Sequence, residues 1–120
     1  MLNQVVLVGR IVREPELQEL ENDMKVSNIT LAVTRAYKNA EGVYETDFID
    51  CSIWNDVAKH TTEYCKKGDI VGIKGRLQTD SYEKEDGTKV VKLNVVGERV
   101  TFLTSKSQEQ NQDKEQDVER

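Results

Sequence analysis

Excess positive charge, histidine and long apolar runs are what this sequence has least of. Lys and Arg number 17 against 22 acidic residues, a formal net charge of −5. Bulk charge therefore offers polyanions no general attraction, and any phosphate binding must come from local clustering. The imbalance is not confined to the C-terminal end, where Lys106, Lys114 and Arg120 face Glu109, Asp113, Glu115, Asp117 and Glu119. His60 stands alone, and no cysteine–histidine pair has metal-ligand spacing, so neither a structural metal nor a cofactor is expected. Two cysteines make no disulfide framework. Cys51 alternates with isoleucines and Cys65 falls in a helical pattern; both are expected to be reduced, buried thiols of a cytoplasmic protein. No apolar run approaches the roughly 18 residues that span a bilayer, so no membrane partner is expected. The first residues, MLNQVVLVGR, carry no basic leader region, and a signal peptide is not expected. A 37% hydrophobic and 32% charged composition fits one soluble domain with a modest core.

What the sequence does have is an unusual strand. Residues 46–54 alternate so that Ile49, Cys51 and Ile53 share one face while Phe48, Asp50, Ser52 and Trp54 share the other. The first set is an ordinary core face. The second mixes large aromatics with polar groups. Aromatic rings on a wet face offer flat surface on which nucleobases stack. Packing under a loop or against another subunit is the plainer alternative.

In chain order, residues 3–12 read as a first strand. It is apolar on both faces, with Val5, Leu7 and Ile11 on one and Val6, Val8 and Val12 on the other. One face meets the core; a second subunit is the economical cover for the other, with Asn3, Val6 and Val8 as its contact residues. Pro15 ends this strand, and residues 18–24 read as a loop. Residues 25–35 form a second strand with Ile29, Leu31 and Val33 inward and Asn28, Thr30, Ala32 and Thr34 outward. Tyr37 shares the inward parity and faces out only if the strand bulges near Arg35. Residues 55–67 read as a helix capped by Asn55 or Asp56. Val57, Ala58, Thr61, Tyr64 and Cys65 form its buried stripe, and Gly68 follows as its stop. Residues 69–82 form a long fourth strand with Val71, Ile73 and Leu77 inward and Lys74, Arg76, Gln78, Asp80 and Tyr82 outward. Asp86-Gly87 marks a hairpin turn into a fifth strand, residues 89–96, with Val91, Leu93 and Val95 inward. Residues 105–120 carry one aliphatic residue, Val118, and are expected to be disordered.

Five strands with one helix between the third and fourth give an OB-fold, a small Greek-key barrel whose second and third strands and flanking loops are its usual ligand surface. The expected layout is a domain over residues 1–103 and a disordered polar tail over 104–120.

At this point the sequence resembles the bacterial single-stranded DNA-binding (SSB) protein family over about residues 1–103. The phrases that carry the resemblance are Met1-Leu2-Asn3, Leu7-Val8-Gly9-Arg10, Pro15-Glu16-Leu17, Leu31-Ala32-Val33, Thr46-Asp47-Phe48-Ile49, Cys51, Trp54, Lys67-Gly68, Gly75-Arg76-Leu77-Gln78-Thr79, Tyr82-Glu83 and Phe102-Leu103, in this order. The resemblance implies an OB-fold homotetramer that wraps single-stranded DNA without sequence preference, in replication, recombination or repair. It implies base stacking at Tyr37, Phe48, Trp54 and Tyr82, and a subunit contact along the first strand. Arg10, Arg35, Lys38, Lys74, Arg76, Lys84, Lys89 and Lys92 are the candidate phosphate ligands. Several positions depart from the family pattern, among them the neighbourhood of Gln18, where a basic residue is common. Asn55 and Asp56 stand where basic residues usually follow the tryptophan, and Asp80 stands where an arginine follows Gln-Thr. The chain ends Gln116-Asp117-Val118-Glu119-Arg120, without the acidic-apolar tip through which typical members recruit partners, so C-terminal recruitment is not expected and a short accessory form is an alternative.

Two rival readings remain. An OB-fold module that binds protein suits the acidic body. An enzyme would need clustered carboxylates or a nucleophile beside a base; Asp47, Asp50 and Asp56 are its nearest candidates, and Asp50 is alone on its face. No enzymatic activity is expected.

Overall fold

The computed structural model describes residues 1–104; the expected tail, from residue 105 on, lies outside the described residues. The chain runs β1 (Val5–Ile11), β2 (Gln18–Glu19), a 3-10 turn (Glu21–Asp23), β3 (Lys25–Lys38), β4 (Tyr44–Trp54), α1 (Asn55–Tyr64), β5 (Ile70–Glu83) and β6 (Lys89–Phe102). The strands form one sheet in the order β1-β5-β6-β4-β3-β2, and β1 also pairs with β3, which closes the barrel. Five long strands make that barrel, with the helix between the third and fourth of them, as an OB-fold requires. The loop expected at 18–24 instead contains the two-residue β2, whose Gln18 and Glu19 pair with Val26 and Lys25.

Alternation is obeyed where strands have a partner layer. Ile29, Leu31, Cys51, Ile53, Val71, Ile73 and Val95 are buried in one core with Ile11, Ala58 and Cys65. Both cysteines are free thiols, and burial pushes each up to about 11. The core face fails beyond the barrel rim. Leu77, Val91 and Leu93, expected inward, are exposed. They keep inward parity, but β5 and β6 outrun the other strands there, so no opposing layer covers them. Tyr64, expected in the helix stripe, is also exposed; its ring leans on Phe102 at 6.1 Å while Ala58 and Thr61 carry the burial.

The helix ends differ from expectation too. Trp54 occupies the N-cap position, and no side chain caps the helix. Asn55 adopts a left-handed φ of 53°, which asparagine tolerates, and its Oδ1 accepts the Lys25 N–H at 3.1 Å. It ties the end of β4 to the start of β3 instead of capping. The helix stops at Tyr64, before Lys66 and Lys67, and Gly68 (φ 97°) serves a later turn whose N–H donates to the Ile11 carbonyl at 2.8 Å.

Candidate nucleic-acid interface

Directly opposed residues on paired strands share a face. On the outer side of β3–β4 the pairs are Val26/Trp54, Asn28/Ser52, Thr30/Asp50, Ala32/Phe48, Thr34/Thr46 and Lys38/Tyr44. This is a two-strand strip of polar side chains interrupted by aromatic rings. Phe48 is 67% exposed and Trp54 36%. A phenylalanine left this bare on a rigid strand has no role in the core. Arg10 sits opposite Ala32 across the β1–β3 pairing, so it stands two strands, about 10 Å, from Phe48 in the same lateral row.

The outer face of the β5–β6 hairpin stands across a groove from this strip. The groove holds about 870 Å³ beside Trp54, where Asn28, Ser52, Arg76, Gln78 and Asn94 line it. It continues into a cleft of about 340 Å³ lined by Arg13, Asp50, Asp80 and Lys92. Asn94 Nδ2 donates to Ser52 Oγ at 3.1 Å and bridges the floor. Arg13 Nη2 donates to the Thr30 hydroxyl at 2.7 Å, and that hydroxyl donates to Asp50 Oδ1 at 2.8 Å. Gln78 Nε2 donates to Asp80 Oδ1 at 3.0 Å. Cations and carboxylates therefore alternate along the cleft, and their fields largely cancel at a distance.

The expected site residues divide by position. Phe48, Trp54 and Lys38 lie on the strip; Arg10 stands beside it on β1, its Nη1 donating to the Gly68 carbonyl at 2.8 Å; Arg76 and Lys92 line the groove or cleft wall. Tyr82 is exposed, with the same outward parity as Gln78 and Asp80, near the hairpin end. Lys84 and Lys89 flank the turn, where Glu83, Glu85 and Asp86 surround Lys84. Lys74 lies elsewhere, opposite Val6 on the outer face of β1–β5. Val6 and Val8 are exposed on that same face. Asn3 is engaged within the chain: its amide donates to the Leu77 carbonyl at 2.8 Å and accepts the Leu77 N–H at 2.9 Å.

Arg35 has inward parity, on the side of β3–β4 opposite Phe48. Its Nε and Nη2 hold Asp47 at 3.0 and 2.9 Å, and Nη1 holds Glu45 at 2.7 Å. The Asp47 contact raises the guanidinium above its ordinary pKa, and the same contact lowers the Asp47 carboxyl. β3 bulges here: three residues lie between Thr34 and Lys38 but only one between their partners Thr46 and Tyr44. Tyr37 is exposed within this irregular stretch and close enough to Arg35 to add to its shift. Asp47 and Asp50 thus face opposite sides of β4, and among the described residues no three His, Cys, Asp or Glu side chains gather as a metal site. Arg13 was not among the expected phosphate ligands. Its signal was its place in the loop after β1, on the ligand side of an OB-fold.

Comparison with known proteins agrees with this geometry. Residues 2–103 match the model of the single-strand binding protein family. The chain is 42% identical to single-stranded DNA-binding protein B of Bacillus subtilis over 113 residues, 94% of this chain and all of that one. It is 47% identical over 103 residues to the single-stranded DNA-binding protein of Halalkalibacterium halodurans, covering 86% of this chain but 61% of the relative. It is 44% identical over 117 residues to single-stranded DNA-binding protein 1 of Lactococcus lactis, covering 97% of this chain and 78% of the relative. The family match takes in both strands of the strip and both strands of the hairpin, and on it the chain belongs to the single-strand binding protein family.

Proposed function

We propose that this protein binds single-stranded DNA without strong sequence preference, as a non-catalytic protector of unpaired strands in replication, recombination or repair. The observation that carries the reading is the pair of exposed rings, Phe48 and Trp54, on one polar strip facing a groove. Bases stack on Phe48 and Trp54, with Tyr37 and Tyr82 as the flanking platforms. Stacking accepts every base, so sequence matters little. Arg10, Arg13, Lys38, Arg76 and Lys92 meet the backbone phosphates; Lys74, Lys84 and Lys89 lie further out. Titration with oligo(dT) tests this: Trp54 fluorescence should be quenched on binding, and an unchanged signal at saturating oligonucleotide would refute the reading.

The bare Val6–Val8 face of β1 supports self-association, and a homotetramer is the assembly proposed. Linking several barrels raises apparent affinity through effective concentration. A monomeric sedimentation mass at micromolar protein would exclude it.

The mixed charge of the cleft makes the salt response shallow. Single strands lose affinity with a log–log slope of about −0.7 per neutralised phosphate, so five contacts per protomer give about −3 to −4. Asp50 and Asp80 offset part of that, so the measured slope per protomer should be no steeper. Arg35 is withheld by its two carboxylates. Asp47, with its lowered pKa, keeps the clamp closed above the usual carboxylate range and loses it as pH falls through the lowered value. The double change Glu45→Gln, Asp47→Asn should free the guanidinium and steepen the slope by about 0.7 in oligo(dT) titrations over several salt concentrations. An unchanged slope would mean that no phosphate comes near Arg35.

A further inference from the structure

We infer that Tyr44, with Lys38 beside it, is a further nucleotide platform at the outer end of the β3–β4 arm. The inference rests on the single-strand reading and extends it: base on the ring, phosphate on the ammonium. Tyr44 is not one of the aromatics to which the family resemblance assigns stacking.

Register comes first. Tyr44, Thr46, Phe48, Asp50, Ser52 and Trp54 alternate outward along β4, so Tyr44 stands on the strip of Phe48 and Trp54. It lies four residues before Phe48, about 13 Å at an ordinary strand rise. The Thr34 and Thr46 hydroxyls, 3.4 Å apart, occupy the interval and leave no bulky side chain between the two rings. Availability comes next. Tyr44 is 52% exposed. Among the described residues the one pair of stacked or tilted rings is Tyr64–Phe102, so the faces of Tyr44 are not taken by another aromatic.

The local charge points the same way. Lys38 Nζ lies 5.7 Å from the Tyr44 ring centroid, in cation–π range. Among the described residues it joins no salt bridge. The nearest carboxylate in sequence to Tyr44 is Glu45, which is turned to the other side of the arm. There its Oε1 accepts from Arg35 at 2.7 Å and its Oε2 from Asn39 at 2.9 Å. The carboxylate beside Tyr44 in sequence is thus held by Arg35 and Asn39 and not by Lys38.

The arm is also held in place. Asn39 Oδ1 accepts the N–H groups of Glu41 and Val43 at 2.9 and 3.0 Å, and the Asn39 N–H donates to the Val43 carbonyl at 2.9 Å. Gly42, at φ 80°, closes the turn. A ring fixed this way loses little freedom when a base lies on it. A strand that crosses Trp54 and Phe48 thus meets a third ring if it continues outward along β4.

The test uses the full chain and oligo(dT) of about 16 nucleotides, the upper end of a single-barrel site. With 5-iodouracil in place of thymine, ultraviolet crosslinking of the wild-type protein should yield a nucleotide adduct on the peptide containing Tyr44. Tyr44→Ala should weaken binding about fivefold or more, and Tyr44→Phe should stay within about twofold of wild type. Absence of the adduct together with wild-type affinity in Tyr44→Ala overturns the inference while Phe48→Ala still weakens binding. Equal losses in the Ala and Phe variants overturn stacking as the contact. Failure of the wild-type protein to retain oligo(dT) at all overturns the single-strand reading beneath it.

Discussion

Replacing Phe48 and Trp54 together with alanine should reduce retention of poly(dT) at least about a hundredfold while leaving the fold intact. Each stacked base is worth roughly 1–3 kcal/mol on truncation, and two such losses near the lower middle of that range reach two decades. Neither ring belongs to the buried core, so the barrel has little to lose. Phe48 is 67% exposed, and Trp54 borders an open groove. Filter retention at a fixed, moderate salt concentration measures the first quantity and a thermal melt the second. The two readouts separate the alternatives. A protein that melts as wild type yet loses DNA used these rings for bases. A protein that keeps its DNA and loses ten degrees or more used them for packing, and the proposed function fails.

The placement of these two rings was legible because β4 is the simplest stretch of the barrel. It pairs with β3 in unbroken register from Thr46 to Trp54, and with β6 at Cys51–Ile53, and alternates strictly with no bulge. Period-two patterning converts directly to inside and outside under those conditions. The same rule misread Leu77, Val91 and Leu93. Their parity was correct, but parity says which side a residue faces, not whether another layer stands there. The length by which the hairpin overshoots the barrel is a tertiary quantity, absent from any local pattern. Tyr64 failed for a related reason: α1 is short, and a stripe at helical spacing does not tell how far the opposing strands extend.

Arg35 and Arg13 illustrate the reverse case. A basic residue next to an outward strand looks like a phosphate ligand until its partners are known. Arg35 is claimed by Asp47 and Glu45 from the next strand, neighbours fixed by the β3–β4 register, which the spacing of the three residues does not reveal. Arg13 sits in a turn where sequence gives no face at all, yet its bond to Thr30 brings it into the cleft. Asn55 explains a departure from the family pattern in physical terms. The position after the tryptophan takes a left-handed φ and ties Lys25 to the end of β4. A structural bond stands where a cation is usual, which fits a binding surface with few phosphate contacts.

Replacing Gly75, where β5 and β6 pass closest, should have the second large effect. β5 and β6 change register here: Lys74 pairs with Arg99 but Gly75 with Gly97, which leaves Glu98 as the extra residue of a bulge. The two backbones approach so closely that a Cβ at position 75 would overlap the carbonyl oxygen of Val96, with the Gly97 Cα only 3.0 Å away. Both obstacles are main chain, so no rotamer change relieves them. A Cβ at position 97 would come within 2.8 Å of Ile53 Cγ2 and 3.1 Å of Ile73 Cγ2, so this part of β6 lies close over core side chains and has little room to shift toward them. Gly75→Ala should therefore cost at least about 3 kcal/mol, the upper range for overpacking. For a domain of this size that lowers Tm by roughly 10–25 °C. Gly72→Ala is the matched control on the same strand. Its Cβ would meet nothing nearer than 3.8 Å, an ordinary contact, so its melt should stay within a few degrees of wild type. Because the groove wall carrying Arg76 and Gln78 begins immediately after Gly75, the Gly75 variant should also bind oligo(dT) more weakly below its own melting point. A wild-type melt for Gly75→Ala would mean that β6 can retreat from β5 without cost, and the account of how the hairpin is held over the groove would be wrong.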